Sequence, residues 1–180
     1  RAAVTDLVQE AELRRALAAL TAQGVQPLLL KGTPLAYTHY PAPALRPRAD
    51  IDLLIPQKQL DGVATALETL GYNRLNTIRG ELVSRQNTFL RFGDRGVQHL
   101  LDVHWKISNA PMFADTLGYA ELTARALPIP ELGGHARGPA PAHALLLACV
   151  HRVAHHHDTE RLIWLYDIHL LARGLAHDEW

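Results

Sequence analysis

Arg48-Ala49-Asp50-Ile51-Asp52-Leu53-Leu54-Ile55 joins two carboxylates, one apolar residue apart, to an apolar run short enough to be a buried strand. Side chains alternate between the two faces of a strand, so Asp50 and Asp52 are expected to project side by side from its head. Two anions a few ångströms apart at the edge of an apolar core are unfavourable unless a cation lies between them. The spacing therefore points to a bound metal ion.

Working outward, Pro27-Leu28-Leu29-Leu30-Lys31 lies between Gly24 and Gly32 and is a second short buried strand. Gly32-Thr33-Pro34 then combines a flexible glycine, a capping hydroxyl and a proline at a first helical position, which starts a helix at Pro34. A glycine before a helix start lets backbone amides approach a phosphate. Lys31, Arg46 and Arg48 are near enough in sequence to help hold its charge. Upstream, Thr5 and Asp6 can cap a first helix whose apolar positions recur through Leu7, Leu13, Leu17 and Leu20 until Gly24. Downstream, residues 57–70 repeat apolar positions at helical spacing until Gly71. From Tyr72 the period changes to two, with strands expected at 88–92 and 97–107 around a turn at 93–96. The Pro- and Gly-rich stretch 108–141 reads as loops around a short helix and a short strand. Residues 142–156 and 159–173 are two apolar helices, the second capped by Asp158, expected to form a hairpin.

Asp102, in Leu100-Leu101-Asp102-Val103-His104-Trp105, is an isolated acid within an apolar strand. If that strand pairs beside the Asp50 strand, three carboxylates converge. Such a set can hold two divalent cations and suits in-line displacement at phosphorus. Hard oxygen donors favour Mg²⁺, with Mn²⁺ as a possible substitute.

These residues resemble a known superfamily. Gly32-Thr33 before a helix, the acid-apolar-acid strand Asp50-Ile51-Asp52 and a third acid at Asp102 are similar to the nucleotidyltransferases related to DNA polymerase β. Leu29-Leu30-Lys31-Gly32, Leu45-Arg46, Asp102-Val103-His104-Trp105, Arg161-Leu162 and Trp164-Leu165-Tyr166-Asp167-Ile168 narrow the resemblance to the uncharacterised bacterial nucleotidyltransferases called the NTP transferase 5 family. The resemblance implies an α+β fold, a minimal nucleotidyltransferase core of mixed β-sheet flanked by helices over residues 1–138, with a C-terminal helical hairpin over 139–180. It implies transfer of a nucleoside monophosphate from an NTP such as ATP to an acceptor. By it Asp50 and Asp52 are metal ligands, Asp102 is the third catalytic and metal-binding carboxylate, and the Gly32-Thr33 turn contacts the triphosphate. Thr33 stands where serine or glycine is usual but keeps the hydroxyl. The interval to Asp50, with Pro41, Pro43 and Pro47, is longer than in minimal enzymes and suggests an ordered loop over the site, able to bring Arg46 or Arg48 to the phosphates.

Simpler roles compete at each position. Asp50 and Asp52 could pair with Arg46 and Arg48, Asp102 with His104 or Lys106, and Lys31 could snorkel to water. Asp167 is expected to pair within its own helix, and Trp164, Leu165, Ile168 and Leu171 to be core. His143, His151, His155, His156 and His157 form a dense set, His151 and His155 four apart on one helical face, a spacing able to bind zinc. Without an accompanying glutamate or cysteine, helix-end roles are favoured, with His104, His151 and His155 as candidate acceptor or cleft residues.

Eighteen basic and eighteen acidic residues cancel, so no global field attracts nucleic acid. A small molecule, sugar or peptide is the expected acceptor. Cys149 is the lone cysteine, and there is neither a long apolar span nor a charged-then-apolar leader, which suits a cytoplasmic protein away from membranes. The chain opens on Arg1 and stops on Trp180, as a trimmed piece would. Two other function classes fit less of the pattern: a catalytically silent nucleotide-binding or protein-interaction module, and, last, a His-rich metal hydrolase.

Overall fold

Leu13, Ala16, Leu17 and Leu20 recur at helical spacing and are buried along one side of α1 (Ala2–Ala22), the stripe by which this helix seats on a sheet. The structure, a computed structural model, describes residues 2–75, 84–93, 96–155 and 161–176, with backbone alone at 2–5 and 155. Gly24 reverses the chain at φ 75°, a conformation in which a side chain would be strained. The next elements are β1 (Leu28–Leu30), α2 (Gly32–Thr38), β2 (Ile51–Leu54), α3 (Leu60–Thr69) and β3 (Asn73–Leu75). Then come β4 (Gln86–Phe92), β5 (Gln98–His104), the short helices α4 (Pro111–Ala114) and α5 (Tyr119–Ala124), and a ribbon of β6 (Leu127–Pro128) and β7 (Arg137–Gly138). The helices α6 (Pro141–His155) and α7 (Leu162–Gly174) pack on each other as a C-terminal pair.

The main sheet is mixed and runs β1-β2-β5-β4-β3. Only β2 and β5 are parallel. Every residue of β2 is buried, which is why this strand reads as a continuous apolar run broken only by its acid. Leu29, Ile51, Leu53, Leu101 and Val103 belong to one core with α1 and α3. Leu28, Leu30 and Leu54 belong to a second core with Ile107, Leu122 and Leu147. Alternation along β2 and β5 puts Asp52, Asp102 and His104 on this second side, the side that α6 covers.

The α+β architecture expected from the sequence is present, with local differences. The first helix already runs from Ala2, the first described residue, and Asp6, inside it, pairs with Arg48. The second begins at Gly32 and not at Pro34. The helix after β2 opens with a 3₁₀ turn at Gln57–Gln59. β4 starts at Gln86 and β5 ends at His104. The predicted cap Asp158, with His156 and His157, lies outside the described residues. Among the described residues no helix is long and apolar enough to cross a membrane.

At the far side of the sheet, buried Glu12 of α1 accepts from Arg15 at 3.0 and 2.7 Å and pairs with Arg91 of β4 at 3.1 Å. Burial works to raise its pKa, but Arg15, with Tyr72 and Arg91 beside it, outweighs burial and holds the carboxyl below its ordinary value of 4.5. A folded-state value below the unfolded one means stability that is present above pH 4.5 and lost as pH falls through the folded value. In denaturant titrations Glu12→Gln is therefore expected to be less stable than wild type at pH 7, with the gap closing below pH 4.5. A gap unchanged by pH would show that the charge of Glu12 does not tie α1 to the sheet.

Candidate active site

Sheet register assembles the polar cluster. Leu30, Asp52, Asp102 and Thr88 are successive partners across β1, β2, β5 and β4, and partners in register share a face. Thr88 Oγ1 donates to Asp102 Oδ1 at 2.6 Å and Gln86 Nε2 to Oδ2 at 3.1 Å. Asp52 is buried, and its Oδ1 receives Lys31 Nζ at 2.6 Å and lies 2.7 Å from His104 Nε2. Donor atoms of Asp52, Asp102 and His104 all lie within 4.8 Å of one another. Asp50, expected on the strand, stands one residue before β2 and is exposed.

Electrostatics separates the two acids of the motif. Burial alone would raise Asp52, but Lys31 and His104 outweigh it and hold its carboxyl well below the usual carboxylate range. Asp52 is thus anionic at neutral pH. Asp50 moves the other way: although part of its side chain meets solvent, the protein packed round its carboxyl reduces hydration there, and this, then repulsion from Asp52 and Asp102, raises it.

Lys31 occupies the turn between β1 and α2 with φ 57° and ψ −129°, the one non-glycine residue at positive φ among the described residues. Such a conformation costs of order 1–3 kcal/mol and persists only where its surroundings impose it. Beside it, Thr33 is 1% exposed and its Oγ1 has no hydrogen-bond partner among the described residues. A buried hydroxyl left unpaired costs about 1–3 kcal/mol, so an acceptor delivered there would be well received.

Arg46 is buried, not a solvated loop charge. Its Nε donates to Asp167 Oδ1 at 2.9 Å, its Nη2 to Oδ2 at 2.8 Å, and its Nη1 to the Pro47 carbonyl at 2.6 Å. Tyr40 Oη donates to the same Asp167 Oδ1 at 2.7 Å. A Cβ built on Gly32 would meet this guanidinium at 3.0–3.1 Å, so any larger residue there would press on the buried arginine packed against it. Asp167, expected to pair along its own helix, instead ties α7 to the loop before β2. Arg48 pairs with Asp6 and lies over the Tyr37 ring at 5.4 Å. Neither arginine pairs with Asp50 or Asp52, and Lys106, proposed for Asp102, pairs with Asp115.

A cleft open to solvent lies between α2 and the C-terminal helices. Lys31 and Gly32 stand in its wall, with Leu35, Leu147, His151 and Trp164. The His151 and Trp164 rings meet edge to face at 5.9 Å. Trp164 is thus a cleft residue and not core, and Leu165 is exposed, whereas Leu171 is buried as expected. His155 ends α6, and its side chain lies outside the described residues.

The profile of a family described as uncharacterised nucleotidyltransferase matches residues 1–180. The chain belongs to this family. No match is found among curated proteins. The solution structure of antibiotic-resistance factor ANT(2'')-Ia superposes with a TM-score of 0.63 and 17% identity, over 97% of this chain and 88% of that one. The crystal structure of ANT(2'')-Ia in complex with adenylyl-2''-tobramycin gives 0.62 and 17%, over 96% and 92%. This likeness is one of fold, and it covers nearly the whole of this chain.

Of the residues singled out from sequence, Lys31, Gly32, Asp52, Asp102 and His104 come together. His151 joins the cleft wall, and Arg46 lies beneath Gly32. Sequence reasoning did not assign Thr88, Gln86 or Tyr40. Thr88 and Gln86 had a usable signal, since they alternate on one strand opposite Asp102 and His104. Removing one partner of a buried ion pair strands the other charge. Asp167→Ala is expected to cost about 3–5 kcal/mol in chemical denaturation, while Asp115→Ala, from an exposed pair, leaves the midpoint unchanged. Equal effects would show that the Arg46–Asp167 pair does not anchor the C-terminal helices.

Proposed function

We propose that this nucleotidyltransferase moves a nucleoside monophosphate from an NTP to a hydroxyl of a small acceptor, releasing pyrophosphate, in a reaction that depends on divalent cations. The observation that carries this proposal is the in-register pair of Asp52 and Asp102 on adjacent parallel strands, their donor atoms grouped with His104. The donor set fits a divalent ion: Asp52 is anionic and compensated by a neighbouring ammonium, and Asp102 is oriented by two hydrogen bonds. Asp52 and Asp102 would hold the metal, with Asp50 joining from the head of β2. Two carboxylates suit Mg²⁺, and the imidazole of His104 widens the choice to Mn²⁺. Bound there, divalent cations would neutralise phosphate charge and lower the pKa of the attacking hydroxyl.

The remaining roles belong to the chain itself. Thr33 Oγ1 and the backbone at Gly32 receive the phosphates, and Lys31 supplies a mobile positive charge beside them. Arg46 is a positioning residue packed against Gly32 and held by Asp167, and Arg48 steadies the loop before β2 through the Pro43 and Arg46 carbonyls. Asp102 orients or deprotonates the acceptor hydroxyl. The nucleoside lies along the cleft with its base against Trp164 and His151, since aromatic faces accept any base. An adenylylated small molecule, adenylyl-2''-tobramycin, is the ligand seen with ANT(2'')-Ia, which supports a small hydroxyl-bearing acceptor here.

Calorimetric titration of ATP, GTP, CTP and UTP, with and without Mg²⁺, tests the proposal. At least one nucleotide is expected to bind only with Mg²⁺, and Asp50→Asn combined with Asp52→Asn is expected to abolish that binding. In the same assay Trp164→Ala should weaken binding by about 1–3 kcal/mol. Binding indifferent to Mg²⁺ would favour a catalytically silent nucleotide-binding module. No binding of any nucleotide would contradict the proposal.

A further inference from the structure

We infer that Lys31 is the resident counter-ion of the carboxylate pair, its ammonium holding Asp52 in the metal-free protein, and that a divalent cation binds by displacing it. This rests on the metal site proposed above and specifies how that site is kept ready.

Three observations converge on Lys31. Its ammonium is 2.6 Å from Oδ1 of Asp52, the carboxylate that groups with donor atoms of Asp102 and His104. A divalent ion about 2.1 Å from a carboxylate oxygen and an ammonium on that same carboxylate are like charges at short range, so occupancy by one disfavours the other. The backbone of residue 31 is at positive φ, where glycine would be accommodated without strain. A lysine retained in that conformation indicates that its side chain is used there. Lastly, the Lys31 side chain is 23% exposed and stands in the cleft wall. Its flexible stem therefore has open space to swing into when it leaves Asp52.

The consequence is a coupling between metal and nucleotide. While no cation is bound, Lys31 neutralises a buried carboxylate that would otherwise stand beside Asp102 with His104 alone to compensate it. Once displaced, the ammonium is free at the end of the cleft where the NTP phosphates are proposed to lie. Metal binding then favours nucleotide binding, and the reverse holds by linkage.

Binding of Mn²⁺ alone, followed by the electron paramagnetic resonance signal of the free ion, tests this on the wild-type protein, Lys31→Met, Lys31→Gly and Asp52→Asn. Circular dichroism on each variant checks its fold, and Lys31→Gly suits the positive φ if Lys31→Met folds poorly. Removing the ammonium is expected to tighten Mn²⁺ binding by roughly 5- to 150-fold, the usual range for coupled ligands, and Asp52→Asn is expected to abolish it. If wild type binds Mn²⁺ and Asp52→Asn does not, yet both Lys31 variants bind no tighter than wild type, the role of Lys31 is overturned while the metal site stands. If no folded form binds Mn²⁺, the metal site and the inference fail together.

Discussion

Two carboxylates set directly opposite one another on adjacent parallel strands impose a charge-compensation problem that organises the surrounding molecule. Asp52 and Asp102 are partners in register, and Asp52 has almost no access to solvent. An isolated anion there would cost several kcal/mol in lost hydration. The chain meets the cost in three directions: Lys31 from the strand end, His104 from two residues along β5, and hydrogen bonds from Thr88 and Gln86 that orient Asp102. Each contribution depends on the alternation of strand side chains and on a register that a slip of one residue would destroy. Lys31 further requires a backbone conformation that a free lysine would avoid. Sheet order, register and backbone strain thus all serve the same few cubic ångströms.

The second buried ion pair explains how the C-terminal helices belong to that centre. Asp167 of α7 takes a bidentate contact from Arg46, and the guanidinium lies against Gly32, the first residue of α2. One arginine therefore joins the turn at the carboxylates, the proline-containing loop before β2 and the helical pair. The cleft is formed between those same parts. The family match and the similarity of fold to ANT(2'')-Ia both extend over nearly the whole chain.

Short-range chemistry made much of this legible in sequence. Asp50-Ile51-Asp52 in front of an apolar run marks the central strand, and Asp102 stands out because an acid inside Leu100-Leu101-Asp102-Val103 needs a partner. The helical stripes and their glycine stops place α1 and α3 to within a few residues. What sequence could not show were the pairings across long separations. Asp167 has plausible partners on its own helix, and nothing local indicates that Arg46, 121 residues away, takes it. Gly32 could be read as a close approach to phosphate, whereas the group packed tightly against it in the structure is an arginine from a later loop. Trp164 has the spacing of a core residue, and only the placement of α6 across from it turns its ring into a cleft wall. Asp50 shares a face with Asp52 on paper, but the strand begins one residue too late to bury it.

The central claim is that Asp52 and Asp102 form a divalent-cation site that receives the phosphates of an NTP. A crystal grown with Mn²⁺ and a non-hydrolysable nucleoside triphosphate, measured for anomalous scattering, addresses it most directly. An anomalous peak within bonding distance of Asp52 and Asp102, with phosphate density reaching the Gly32-Thr33 turn and Lys31 withdrawn from Asp52, is the predicted result. Nucleotide bound elsewhere, or bound with Lys31 still on Asp52 and no ion between the two aspartates, would contradict it.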